Sequence, residues 1–523
     1  MGSRFAPQGA GFGLALGFLL ISGTVSTGCN NTSAEELPPG LMSFPIAIEL
    51  SVDENTDGTP KYAYVTSSNF GLQYDSGNVQ VYDLDKAIDA IRAGCMGAGV
   101  RNMCLENDFD GDINDPSCVC DPETDLACTA IPPDRCSVVP EGLRFRDPGA
   151  ALRLIPVEGL IPGEVKIGSF SDGLGVSTDG RRIYVPVRSD ANLTYIDVNE
   201  DGQLSCGGAF GEFHTCMGPY RSGSDELVNP TLNLSMPPDP VDLHVGDLAS
   251  DFASAENADD PAFRGDYILM AHREGRASLL FDQLRPGGAE PQKRPRLAAT
   301  LDELAPEQVT ISYEPGARRA WIPSAETPQI VRLGIGIDGD PTQSYLFDGG
   351  PLIVSGLDTG FSNRDIRFDP RPDRNLAYIV ARSPEALVVA RSNVAGGDLN
   401  MVGQVPTCRD PSRLQVAEVP TTAGSTVLAF VSCFLARSVQ VIDTDKLQGV
   451  TLLTNISGAF EFAIDAPRLL MYVADFSTSV LRVADLRPLV ACLESDGSGD
   501  AEECAPELIG LVGLPQPVSE LPR

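Results

Sequence analysis

Seven times along the chain, a β-rich run centred on one large apolar residue is followed by a second β-rich run at near-constant spacing. The anchors are Tyr64, Tyr184, Leu269, Trp321, Tyr378, Phe430 and Tyr472. After six of them the second run ends thirteen residues on, at Asp197, Asp282, Gly334, Arg391, Asp443 and Asp485. The first copy reaches its equivalent, Asp83, after a longer loop. Units repeating in this way do not bury their apolar face alone and have to stack. The repeat constrains architecture and leaves the ligand open.

Both runs read as strands. RRIYVPV (residues 181–187) leads to NLTYIDV (192–198), AFVSC (429–433) to SVQVID (438–443), and LLMYVAD (469–475) to SVLRVAD (479–485). β-Branched and aromatic residues dominate, and short polar loops separate the runs. A further apolar run precedes each anchor, such as LGVSTDG (174–180) and FAIDAP (462–467). A fourth follows the second run, such as ALRLIPV (151–157) and LIGLVGL (508–514). The expected fold is all-β, a seven-bladed β-propeller of four-stranded antiparallel blades over residues 41–515. Such a ring closes without long exposed edges. A β-sandwich, or two unrelated β-domains, leaves the fixed spacing unexplained.

KYAYVTSSN (61–69) followed by NVQVYDLD (78–85) resembles the YVTN-type repeat of prokaryotic surface-layer and periplasmic propellers. STDGRRIYVPV (177–187) matches that turn and anchor strand more closely still. The resemblance is close in blades 1, 2, 6 and 7, and blades 3 to 5 follow by spacing. It implies a seven-bladed propeller and no particular activity, because one propeller scaffold hosts many chemistries.

The N-terminus reads as an export signal over residues 1–28: Arg4 supplies positive charge, and an apolar stretch from 12 to 21 follows. That stretch is too short to span a bilayer permanently. Next comes STGC, ending at Cys29, which resembles a bacterial lipobox. Asn30 behind it directs the expectation to the outer membrane, held through lipid on Cys29, with ordinary signal cleavage as the alternative. A linker over 29–40 joins this anchor to the body, and 516–523 form a tail. Thirteen cysteines are odd for an exported chain, and giving Cys29 to lipid leaves twelve that can pair. Local pairs are expected at Cys206–Cys216, Cys408–Cys433 and Cys492–Cys504. Three more fall among Cys95, Cys104, Cys118, Cys120, Cys128 and Cys136, in an insertion at 92–148 within blade 1. Six cysteines allow fifteen connectivities. Zinc is the weaker reading there, since two C-x-x-C knuckles are lacking.

The insertion also carries DFDGD. Asp108, Asp110 and Asp112, with Asn114 or Asp115, form a hard-oxygen set suited to Ca²⁺. DVNEDG (197–202) and DENTDG (53–58) open like EF-hand loops, but Gly208 and Tyr64 stand where the twelfth-position Glu belongs. The formal charge of −34 argues against a nucleic-acid partner.

Catalytic signatures are scarce. There is no G-x-S-x-G or H-E-x-x-H, DTG occurs once at 358–360, and only His214, His244 and His272 are present. A single Trp speaks against the Trp-rich quinoprotein propellers. Ring geometry places residues just before the inner strands near the channel mouth: Asp172, Asp239, Glu307, Arg364, Arg413 and Glu461. They form either a small-ligand site or a solvated rim of ion pairs. The same geometry sends the elaborated loops of blades 7, 1, 2 and 3 to one face, where a protein or envelope partner is expected. The functional expectation is a lipid-anchored, non-enzymatic binding or scaffolding module. The alternative is a lactonase-type hydrolase using a channel-bound divalent cation; a surface-layer component would need self-association.

Overall fold

The anchors sit inside the second strand of each blade, and all seven are at most 1 % exposed. In three of them bulk and burial are reconciled by giving the polar ring an acceptor. Trp321 Nε1 donates to Glu314 Oε2 at 2.8 Å, Tyr378 Oη to Asp369 Oδ2 at 2.7 Å, and Tyr184 Oη to Asp282 Oδ2 at 2.8 Å. In blade 6, Phe430 instead meets Phe462 of blade 7 at 6.4 Å, so the anchor seals the seam between blades.

The computed structural model describes residues 35–96, 154–155 and 159–513, apart from short stretches at 53–54, 56–57, 217, 224–233, 254–259, 284–293, 338–343, 355–361, 372, 394–396, 423 and 496–503. It is a seven-bladed propeller with four antiparallel strands in each blade. The inner strands are Pro45–Leu50, Gly175–Val176, Pro240–Asp247, Ser312–Glu314, Asn363–Phe368, Pro411–Thr421 and Ala459–Asp465. Successive strands pair outward within each blade. Apolar clusters lie between sheets, as where Tyr64 and Val79 of blade 1 meet Val185 and Ile196 of blade 2.

One strand expectation needs correction. Residues 151–157 do not supply the outer strand of blade 1; Gly163–Ile167 does, pairing with Gly77–Asp83. Leu154–Ile155 instead adds in parallel to Glu507–Val512, the outer strand of blade 7. Two physical reasons are visible. Gly163–Ile167 is buried along its whole length, and Glu164 is held by Asn78 and Gln80 side chains at 2.7 and 2.9 Å. The outer strand of blade 7 also has an open edge that takes another strand. A segment of blade 1 thereby stitches the two ends of the ring together.

Elaborated loops share one face. Lys61 Nζ of blade 1 reaches Glu200 O of blade 2 at 2.9 Å, and Arg468 of blade 7 pairs with Asp85 at the start of helix Leu84–Met96. Helix Leu248–Phe252 of blade 3 is capped by Asp247 and receives Arg318 of blade 4. All three local cysteine pairs stand at bonding distance, with Cα separations of 4.9 Å (Cys206–Cys216), 5.9 Å (Cys408–Cys433) and 5.3 Å (Cys492–Cys504). Cys433 pairs with Pro411 across the first two strands of blade 6, on the opposite face from the elaborations.

Cys29, Cys104, Asp108, Asp110, Asp112, Asn114, Asp115, Cys118, Cys120, Cys128 and Cys136 lie outside the described residues, and Cys95 is described only as backbone of its helix.

Candidate ligand site at the channel mouth

A bulge at the start of the inner strands sets the channel lining. In blades 1, 3, 5, 6 and 7 the register shifts between Pro45 and Ala47, Pro240 and Asp242, Asn363 and Asp365, Pro411 and Arg413, and Ala459 and Glu461. A bulge inserts one residue and re-aims its neighbours. Isolated bridges at Ser171 and Gln308 begin blades 2 and 4 equivalently. The structurally matched ring is therefore Ala47, Gly173, Asp242, Thr310, Asp365, Arg413 and Glu461. Two residues deeper, opposite the anchors, lie Glu49, Gly175, His244, Ser312, Arg367, Gln415 and Ala463.

These rings enclose a cavity walled by Glu49, Asp172, Asp242, Thr310, Arg367, Arg413 and Glu461. It offers about 40 Å³ to the centres of water-sized molecules, enough for several waters or a small polar group. Gly173 preserves that room, because a Cβ there would sit 2.8 Å from Asp242 Oδ1.

The polar groups are unevenly satisfied. Asp365, fully buried, accepts from its own chain at Ile366 N and from Leu414 N at 2.9 Å. Asp242 Oδ2 accepts from Ile311 N at 2.9 Å. Arg413 Nε donates to Glu461 Oε2 at 3.0 Å, and its guanidinium lies over the Phe460 ring at 5.0 Å. Glu461 is 8 % exposed, yet its Oε1 has no hydrogen-bond partner among the described residues. A buried acceptor left unmade is costly, and in a native fold it needs a reason.

Electrostatics follow from that crowding. Burial pushes Glu461 up to about 8; Arg413 opposes the shift and Asp365 reinforces it. Glu49 keeps open surface toward the channel, but the protein enclosing it raises its carboxyl to about 7, against the pull of Arg367. Asp242 rises to about 6 through burial, again opposed by Arg367. His244 falls to about 4, through burial and then Arg367, so it stands neutral. For Arg367 burial works downward, but Asp365, Asp242, Glu461 and Glu49 outweigh it and strengthen its hold on the proton.

The six residues expected at the mouth occupy three structural levels. Asp172, Arg413 and Glu461 line the cavity. Asp239 is tied to Asp172 through Arg188, at 2.7 and 2.9 Å, but lies outside the lining. Glu307 pairs with Arg273 at 2.7 Å on the outer rim. Arg364 falls on the bulge, half-buried, with Nε unpartnered among the described residues, and burial with Arg382 lowers it to about 10. Asp365 escaped sequence reasoning because the bulge moves the inward register by one residue from Arg364, Asp242 because the lining starts three residues beyond Asp239, and Glu49 and Arg367 because they lie a layer deeper, opposite the anchors. Counting back from the anchors through antiparallel pairing would have found Glu49 and Arg367.

The rim above is a ring of clasps. In every blade the residue four after the anchor donates its N–H to the carbonyl of the residue just before the first bridge of the inner edge. The pairs are Ser68 to Phe44, Arg188 to Phe170, Arg273 to Asp239, Ala325 to Glu307, Arg382 to Ser362, Phe434 to Asp410 and Phe476 to Gly458, at 2.8–3.2 Å. Side chains at these positions reach the next blade. Three junctions are ionic: Arg188–Asp239, Arg273–Glu307 and Arg382–Asp410, at 2.7, 2.7 and 2.8 Å. The junction of blades 7 and 1 is aromatic, with Phe476 and Phe44 centroids 5.0 Å apart. Phe434, Phe460 and Phe70 pack on Phe476 at 6.0, 5.9 and 5.7 Å, and Phe70 also meets Phe170. Phe70, Leu72 and Leu435 keep 44–57 % of their surface exposed on this arc.

No family model matches the chain, and no curated protein matches it. Solved structures similar to it include a putative 6-phosphogluconolactonase from Bacteroides uniformis, 14 % identical, covering 79 % of this chain and 84 % of that one at a TM-score of 0.41. Hydrazine synthase of Kuenenia stuttgartiensis is 9 % identical, covering 87 % and 97 % at 0.45. The periplasmic gluconolactonase of Pseudomonas aeruginosa is 13 % identical, covering 67 % and 87 % at 0.39. The propeller assignment rests on the seven sheets themselves.

Proposed function

We propose that this chain is an exported propeller of the YVTN kind that works by binding, and that a small ligand enters its channel at Glu461. The observation carrying this reading is the buried Glu461 side chain, which lines the cavity with one oxygen held by Arg413 and the other without a partner among the described residues. The lactonase alternative needs several ligands around one divalent cation. The residues do not fit that demand: two arginines share the wall, and among the described residues no three His, Cys, Asp or Glu side chains cluster as a metal site.

The anchor belongs to the same proposal. Glu35 bridges to Tyr74 on the rim side of blade 1, so the chain joins the body on the face of the channel mouth. Six residues from Cys29 span at most about 20 Å, so lipid there would hold this face close to an outer-membrane surface. The opposite face, with its elaborated loops, stays available to a protein or envelope partner. Calcium at Asp108, Asp110 and Asp112, with Asn114 or Asp115, would order the insertion; calcium-linked heat on titrating the mature chain, lost in Asp110→Asn, checks it.

The deciding experiment for the channel is a thermal-shift screen of charged and neutral small molecules on the mature chain and on Ala47→Phe, which fills the cavity. Compounds that stabilise the first and not the second are expected. A screen in which every hit stabilises both equally, or a lactone hydrolysis abolished by Glu461→Gln, would sink the binding reading.

A further inference from the structure

Glu461 asks for a donor, and the groups around it restrict which kind. Four carboxylates face the cavity (Glu49, Asp172, Asp242 and Glu461) against two guanidinium groups, Arg367 and Arg413. Both arginines are engaged through Nε: Arg413 with Glu461, Arg367 with Leu414 O at 3.2 Å and with Asp365. The wall atom that is both buried and unpartnered among the described residues is an acceptor. Glu461 Oε1 is unpartnered among the described residues, and the exposed Glu49 side chain makes no hydrogen bond among them. With Glu461 and Glu49 ionised, an anion placed here would meet acceptors with its own acceptors, and a neutral hydroxyl would leave the excess charge standing.

The second observation comes from the rim. Phe460 directly precedes Glu461 and turns its ring face to a cation already, the Arg413 guanidinium at 5.0 Å. Aromatic faces attract cations and repel anions through the ring quadrupole. Outward from Phe460 the apolar surface continues through Phe476 to the exposed Phe70. Charge-accepting groups therefore lie below a continuous aromatic shelf.

We propose that the channel ligand is a small organic cation with an apolar body, its ammonium group against Glu461 and Asp242 and its apolar part along Phe460. This deepens the channel reading and rests on it. The cation supplies the N–H donors that Glu461 Oε1 lacks, and such charge-assisted bonds are among the stronger ones available. The apolar body covers part of the shelf that is otherwise left in water.

Three probes of one shape separate charge from shape: phenethylammonium, 2-phenylethanol and 3-phenylpropanoate, each titrated calorimetrically into the mature chain at about pH 8.5, above the folded value of Glu461, where the amine is still an ammonium. Saturable heat is expected with the ammonium, affinity at least about tenfold lower with the alcohol, and none with the carboxylate. Glu461→Gln, which preserves size, should weaken the ammonium by about tenfold or more while leaving the alcohol unchanged. Asp242→Asn should act in the same direction. Equal affinity for ammonium and alcohol, preference for the carboxylate, no binding of the ammonium, or indifference to both substitutions would each overturn the assignment of charge. Ala47→Phe keeps the two readings apart. If the alcohol or the carboxylate binds at least as tightly as the ammonium and Ala47→Phe abolishes that binding, the channel stands and the cation falls. Ammonium binding unchanged in that variant would remove both.

Discussion

Two arcs of the rim solve the same joining problem with different chemistry. At three of the four junctions from blade 2 to blade 6, an arginine at the end of a second strand clasps a carboxylate before the next inner strand, as in Arg188–Asp239 and Arg382–Asp410. From blade 6 through blade 7 to blade 2, phenylalanines do the clasping, and one of them, Phe476, contacts four others. The ionic arc joins donors to acceptors. The aromatic arc joins blades while leaving Phe70, Leu72 and Leu435 in water, beside the cavity whose carboxylate is half satisfied. Structural pairing closes its own account; a ligand surface leaves a remainder.

The largest effect should come from the centre of the aromatic arc. Phe476 is 6 % exposed, so Phe476→Ala opens a cavity and is expected to cost about 3–5 kcal/mol in urea unfolding. A loss under about 1 kcal/mol would mean the arc does not join blades 7 and 1. On the ionic arc the matching change is Arg188→Ala, which strips Asp172 and Asp239 of their shared donor. Both carboxylates keep some water, so about 1.5–3 kcal/mol is expected. If Arg188→Ala proved costlier than Phe476→Ala, the ionic junctions would be the principal joints.

Acidity separates the arcs more finely. Glu461 is faced by Arg413 from blade 6, Asp365 and Arg367 from blade 5, Asp242 from blade 3, and Glu49 and Asp172 across the cavity. Its folded value near 8 lies above the ordinary 4.5. Between those values the folded chain keeps a proton that the unfolded chain releases, so stability falls as pH rises and levels off above 8. Asp242 and Glu49 act in the same sense but finish near 6 and 7. From pH 7 to 8 the slope is therefore mostly that of Glu461, at up to about 1 kcal/mol per pH unit. Glu461→Gln should flatten that interval; parallel profiles for the two proteins would contradict the assignment.

The anchors and the blade count were legible because spacing and strand chemistry repeat, and burial then follows from stacking. Cysteine pairs at short separation were legible for the same local reason. The outer strand of blade 1 was not, because 151–157 is the more apolar of the two candidates, while the choice of 163–167 depends on Glu164 meeting Asn78 and Gln80 across the sheet. Part of the channel lining was hidden by the bulges, which shift the inward phase without altering composition, and Glu49 and Arg367 by lying a layer below the mouth. The aromatic arc had no sequence signature at all. Phe44, Phe70, Phe170, Phe434, Phe460 and Phe476 come from loops and strand starts in four blades, and only ring closure brings them together.

The smallest stability effect should fall on the outermost phenylalanine, and it tests the comparison most directly. Phe70 lies between Phe170 and Phe476, both at 5.7 Å, with 44 % of its surface in water. Phe70→Ser removes one edge contact to each neighbour and leaves the Phe476–Phe44 joint intact. Aromatic edge contacts contribute about 0.5–1.5 kcal/mol beyond area, and part of the ring is already hydrated, so about 1 kcal/mol or less is expected in urea unfolding. Its exposed surface is where an apolar ligand body would continue from Phe460, so the thermal shift given by a channel ligand should fall while basal stability barely moves. The opposite pattern, a large loss of stability with an unchanged ligand shift, would make Phe70 a structural clasp like Arg188 and would erase the distinction between the arcs.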